Sequence, residues 1–218
     1  MTAVIILAMI ALFLGLRLYS VLGRKTGHGA ELGIADQKEV TPPTGMLGIP
    51  GSSKITTGPA VSEVPVADGA QAGLAAIAAA ERSFDLDRFM EGASAAYRMV
   101  LEAFWQGDRE TLAELTGEDV QASFDEAIVA READGERLDN RLIAIEETAV
   151  HAASLYAREA RITVKFQAAI AAVTRNEAGE VIAGSLDDAV TTHDLWTFER
   201  SLDAGDPNWL LTETDEAR

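Results

Sequence analysis

The chain has no cysteine, which excludes disulfides, thiolate metal centres and cysteine nucleophiles together. Histidine is scarce: His28, His151 and His193 are the only three, and they are scattered rather than set at metal-ligand spacing. Basic residues are few, with 18 Lys and Arg against 35 Asp and Glu, a formal net charge of −17 and a pI near 4.5. Nucleic acid is bound through clusters of positive charge, and none lies beyond the first few dozen residues, so that class of partner is excluded. Acidic partners are disfavoured for the same reason, while basic or apolar ones remain. No glycine-rich loop follows a strand to cradle a phosphate. Ser94 and Ser123 have no neighbouring base of the kind a nucleophile needs.

What is present is organised around Phe84 to Trp105 (FDLDRFMEGASAAYRMVLEAFW). Phe89, Met90, Ala93, Tyr97, Val100, Leu101 and Phe104 recur at steps of one, three and four, which predicts a helix with one broad apolar face. Asp85 and Asp87 fall in its first turn, where carboxylates complement the helix dipole. Gly107 and Asp108 end the pattern.

The chain opens on an apolar run, Ala3 to Leu16, that reaches membrane-spanning length through Leu22 if Arg17 snorkels toward the headgroups. A cleaved signal peptide would want basic residues before the run. Here Arg17, Arg24 and Lys25 follow it, so residues 1–25 are expected to be an uncleaved anchor with the rest of the chain in the cytoplasm. From residue 26 to 73 the composition turns to Gly, Ser, Thr and Ala with five of the six prolines, which predicts a flexible tether. The charges before Glu81 cancel, so the net negative charge belongs to a folded domain expected over 74–218. Leu74 to Arg82 reads as a short helix that docks on that domain or lies on the membrane.

Beyond the long helix, Asp108 is placed as an N-cap, with Leu112 and Leu115 facing inward. Gly117 interrupts, and Val120, Phe124, Ile128 and Val129 line a further helix that ends near Gly135. The signal then changes period. Arg161 to Thr174 alternates, with Ile162, Val164, Phe166, Ala168 and Ile170 on one face. Asn176 to Glu180 is a turn, and Leu142–Val150, Ala189–Arg200 and Trp209–Thr214 are further strands. Helices followed by a meander of strands give an α+β fold, with helices on one face of a curved antiparallel sheet closing into a cone over the long helix.

Two sets of residues are candidates for function. Asp187, Asp188, His193 and Asp194 combine carboxylates with an imidazole, as acid–base chemistry requires; the competing reading is solvated turn residues. The second set is apolar. Tyr97, Leu101, Phe104 and Trp105 from the helix, with Phe166, Trp196, Phe198 and Trp209 from the strands, are expected to line a groove for an apolar peptide segment or acyl chain, or else to be plain core. No catalytic, cofactor or metal residue is assigned.

The strings RLYSVLGRKTG (17–27), FDLDRFMEGASAAYRMVLEAFWQGD, FDEAIVAREADGE, ARITVKF and DLWTFERSLDAGDPNWLL resemble successive blocks of bacterial TimA-type adaptors, relatives of the mitochondrial inner-membrane translocase subunit forty-four. The resemblance implies a cone-shaped domain of the nuclear-transport-factor-two-like kind. It also implies a non-catalytic adaptor tethered to the inner membrane, with protein partners and lipid as possible ligands and no cofactor. Two other classes stay open. One is a small-molecule-binding enzyme built on the cone fold; the other is a ribosome-to-membrane tether, since a mitochondrial ribosomal protein shares the domain.

Overall fold

The computed structural model describes residues 64–204 and 206–217. The expected anchor and its flank, Arg17, Arg24 and Lys25, lie outside the described residues, as does most of the tether. Among the described residues no helix is long and apolar enough to cross a membrane.

Among the described residues four α-helices precede the sheet: α1 (Gln71–Ala80), α2 (Leu86–Gln106), α3 (Arg109–Leu115) and α4 (Glu118–Ala133). Five strands follow: β1 (Arg137–Leu138), β2 (Arg141–Tyr156), β3 (Glu159–Arg175), β4 (Val181–Ser201) and β5 (Leu210–Glu216). Pairing is antiparallel throughout, in the order β1-β3-β4-β5, with β2 also on β3. This is the α+β arrangement that the change of period implies.

The long helix starts and stops where its termini say it should. Asp85 Oδ1 accepts from the Arg88 backbone N–H at 2.8 Å, satisfying one of the free donors of the first turn. At the other end Gly107 takes φ 75°, and its N–H bonds back to Phe104, a left-handed stop that a side chain would strain. Both guanidinium ends of Arg131 donate to the Phe104 carbonyl at 3.2 Å, binding α4 to the same terminus. Asp108 then caps α3 by accepting from Thr111 N at 3.1 Å.

The core lies between α2 and one face of β2–β4. Phe89, Met90, Ala93, Tyr97, Val100, Leu101 and Trp105 of α2 are buried, as are Ile162, Val164, Phe166 and Ala168 of β3. Leu112, Val120, Phe124 and Ile128 extend the core along α3 and α4. Val129 does not join them; it faces solvent at 57% exposure, because it follows Ile128 by one residue and so points about 100° away.

Ordered structure begins ahead of Leu74. The backbone of residues 65–67 lies along the β2 edge, with Ala67 N–H donating to the Val150 carbonyl and Val150 N–H to the Pro65 carbonyl, both at 2.9 Å. Ala70 is fully buried. Helix α1 packs on β2 through Ile77. Gly73 makes that approach possible, since a Cβ there would collide with the Ala153 carbonyl.

Candidate functional site

The apolar candidates fall into one continuous seam and a separate pair. Tyr97 stacks on Phe166 at 4.4 Å between ring centres and packs against Trp196 at 4.6 Å. Trp196 meets Phe198 at 6.4 Å, and Phe198 meets Phe89 edge-on at 6.0 Å. Phe89 contacts Trp209 at 4.8 Å, and Trp209 in turn meets Phe84 at 6.3 Å. The seam therefore runs from fully buried Tyr97, Phe166 and Trp196 to half-buried Phe84 and Trp209. Leu101 and Trp105 are buried farther along α2. Phe104 belongs elsewhere: it packs on Phe124 at 5.1 Å with Arg131 over its face. Phe84 and Phe89 stand outside the expected set, although Phe84 immediately precedes the Asp85 cap and Phe89 lies at the start of the same helix.

At its half-buried end the seam carries an ionic clamp. The Arg200 guanidinium lies 5.0 Å from the Trp209 ring centre, pairs with Glu81 and donates to the Pro207 carbonyl at 3.1 Å. Burial holds the Arg200 pKa below its usual value. The clamp ties the segment after α1 to the connection between β4 and β5.

The buried end carries a polar pair. Tyr97 Oη donates to Asp194 Oδ2 at 2.6 Å, and Thr192 Oγ1 lies 3.5 Å from the same phenol. Burial is the main cause of a raised Asp194 pKa; hydrogen bonds from Tyr97 and Thr192 oppose it, and Glu216 adds to it. Burial and the Asp194 charge push the Tyr97 phenol far up. Trp196 Nε1 is buried and makes no hydrogen bond among the described residues. The signal for Asp194 was its parity: it precedes Trp196 and Phe198 by two and four residues and so shares their inward face.

The same parity separates the acid–base candidates. His193 sits opposite Gln167 on the outer face of β4, while Asp194 sits opposite Phe166 on the inner one. Asp187, Asp188 and His193 are exposed. The carboxylate that reaches the interior thus meets a phenol rather than an imidazole. Both members of the pair are shifted upward, chiefly by burial.

A four-helix, five-strand α+β order with this aromatic seam over residues 64–217 is the frame for comparison with known proteins. The Tim44-like domain profile matches residues 70–216. The chain belongs to the Tim44-like domain family. It is 30% identical over 137 residues to the mitochondrial import inner membrane translocase subunit TIM44-1 of Arabidopsis thaliana, which takes in 60% of this chain and 29% of that protein. The chain thus spans under a third of that relative's length. Among solved structures, the intermembrane space region of the chloroplast protein ARC6 aligns with 59% of this chain and 94% of its own, at 14% identity and a TM-score of 0.40. That likeness is too slight to support any inference.

Proposed function

We propose that the chain is a non-catalytic adaptor of the TimA type. In this reading residues 1–25 anchor it in a bacterial inner membrane, residues 26–63 act as tether, and the domain faces the cytoplasm and captures a protein partner. Membership of the Tim44-like family across 70–216 carries the reading, since the relative it matches is by name a translocase subunit of an inner membrane. The positive flank Arg17, Arg24 and Lys25 supports the orientation.

The partner contact falls at the half-buried end of the seam, around Phe84 and Trp209. Aromatic rings with one face open to solvent bind apolar surface at low entropic cost. The acidic surroundings favour basic residues flanking that surface on the ligand. The ligand is therefore an apolar peptide segment with basic flanks; an acyl chain is the second outcome of the test.

Affinity purification of the full chain from detergent-solubilised membranes, wild type against Trp209→Ala, tests the reading. Loss of a co-purifying protein in the variant supports the proposed contact. Equal recovery moves the contact elsewhere on the domain, and recovery of lipid alone replaces the adaptor reading with a lipid-binding one. Protease added outside intact spheroplasts should spare residues 74–218; their digestion would reverse the topology.

A further inference from the structure

The two rings assigned to the partner contact sit on different connections, Phe84 between α1 and α2 and Trp209 between β4 and β5. Glu81 and Arg200 join those connections. The Glu81 carbonyl accepts from the Phe84 N–H at 3.1 Å, closing the turn that carries the Phe84 ring. The Glu81 carboxylate accepts from Ser83 Oγ at 3.0 Å and pairs with the Arg200 guanidinium. Arg200 in turn donates to the Pro207 carbonyl at 3.1 Å and lies 5.0 Å from the Trp209 ring centre. The Arg200 side chain is 11% exposed. A guanidinium so far out of water needs a carboxylate to hold it there, and without one it turns back to solvent. Loss of the Glu81 carboxylate therefore takes away the support on which the indole rests.

Glu81 is also the residue that ends α1, its N–H bonding back to the Ile77 carbonyl. That helix is lightly held. Ile77 is its one buried side chain, Leu74 is half-buried, and Ala75, Ala76, Ala78 and Ala79 face solvent. A ten-residue helix is marginal without packing, and a segment that buries so little opens at lower cost than the domain around it. We propose that Glu81 and Arg200 are positioning residues through which the docking of α1 on β2 sets the Phe84–Trp209 contact, so that capture of a partner responds to the tether side of the chain. The inference rests on the reading of that contact as the partner site. With α1 docked, Glu81 holds Arg200 against Trp209 and keeps Phe84 6.3 Å from the same ring. When α1 lifts from β2, the turn and the ion pair go together, and the two rings cease to form one apolar surface. A pull transmitted through the tether then releases the partner.

The test reads the contact both with and without a ligand. The full chain, labelled with fluorotryptophan and held in phosphatidylcholine nanodiscs, reports its three tryptophans by fluorine NMR, with Trp209 assigned through Trp209→Phe. Binding is read as the anisotropy of a fluorescent peptide with a leucine core and lysine flanks, after subtraction of empty nanodiscs. Glu81→Ala should shift the Trp209 resonance, leave those of Trp105 and Trp196 in place, and raise the peptide Kd about five-fold or more, while the thermal transition stays cooperative. Glu81→Gln, which keeps an acceptor for Arg200, should recover part of that affinity. Ile77→Ala, which loosens α1 on β2, should move the same resonance and weaken the same peptide. Combined with Glu81→Ala it should raise Kd by less than the product of the single effects, because both break one link. An unmoved Trp209 resonance or a wild-type Kd in folded Glu81→Ala overturns the proposal, as does a folded Ile77→Ala that changes neither. Peptide bound equally by wild type and Trp209→Ala, or by neither, overturns the reading of the contact itself.

Discussion

Tyr97 of α2 and Asp194 of β4 are joined by a 2.6 Å hydrogen bond between phenol and carboxylate across 97 residues of sequence. The bond pins the middle of the long helix to the inner face of the sheet. Its energetics depend on pH in a direction that burial sets. Asp194 has its pKa raised chiefly by desolvation, so its folded-state value stands above the ~3.9 of an unfolded aspartate. Such a group favours folding fully below about pH 3.9, and its contribution is lost as pH rises through the folded-state value. Asp194→Asn is neutral throughout and removes this loss. Urea unfolding across pH 4–8 should show the variant gaining on the wild type as pH rises. Parallel pH profiles for the two proteins would contradict it.

Tyr97→Phe keeps the ring stack on Phe166 and deletes only the donor. Asp194 is then left in the interior without its nearest partner. A hydrogen bond to a charged group contributes roughly 1.5–3 kcal/mol, and the variant should lose stability in that range near neutral pH. Below pH 4, where the carboxyl is protonated, the loss should shrink. The raised Tyr97 pKa also predicts that wild-type stability falls as pH passes the unfolded tyrosine value of ~10. The phenylalanine variant should lack that component.

Gly73 tests the docking of α1. A Cβ there meets the Ala153 carbonyl, which is backbone and cannot swing aside. Gly73→Ala should cost roughly 1–3 kcal/mol as an overpacked contact, even though alanine is the better helix former. Hydrogen exchange should localise the effect to residues 64–82 and the β2 edge around Val150. Uniform loss of protection across the sheet would instead make α1 part of one cooperative unit.

The hairpin between β2 and β3 turns through Ala157 and Arg158, at φ 45° and 70°. Left-handed backbone disfavours alanine by roughly 1 kcal/mol or more. Arg158 is held there by Asp203, Nε to Oδ1 at 2.5 Å. Ala157→Asn, a residue suited to the first position of such a turn, should raise stability by about 0.5–1 kcal/mol in thermal melts. A lower melting temperature would mean that the turn is set by contacts beyond its own backbone.

Much of this architecture was legible in local pattern. The steps from Phe89 to Phe104, the caps at Asp85 and Asp108, and the alternation from Ile162 to Ile170 each announce an element by its own period. The strands themselves run longer than the alternation suggests. β2 continues to Tyr156 and β4 begins at Val181, because bulges at Val150/Ala152 in β2 and Ala171/Val173 in β3 break parity without breaking pairing. Val64–Ala67 carries no period, and the β2 edge gives it its conformation. The candidate site divides the same way. All eight aromatic and leucine positions lie in the core or packed against it, but which rings touch is a matter of register. Tyr97–Asp194 and Glu81–Arg200 are contacts between distant segments, and no local window contains both partners.

Trp105 and Trp209 separate core from rim. Trp105 is buried at 9% exposure on α2, and its truncation leaves a large void in the core. Trp105→Ala should cost roughly 3–5 kcal/mol. Trp209 is half-buried; it contributes an edge contact to Phe89 at 4.8 Å and a face to Arg200 at 5.0 Å. Those interactions are each of order 0.5–1.5 kcal/mol, so Trp209→Ala should cost about 1–2 kcal/mol and leave a cooperative melt. Isothermal unfolding of both variants in urea measures the difference directly. A rim tryptophan that costs little in folding yet abolishes partner capture is a binding residue. Should Trp209→Ala destabilise as much as Trp105→Ala, Arg200 and Phe89 depend on the indole for their own packing. The half-buried end of the seam is then core closed by the Arg200–Glu81 clamp, and the adaptor contact must lie on another surface.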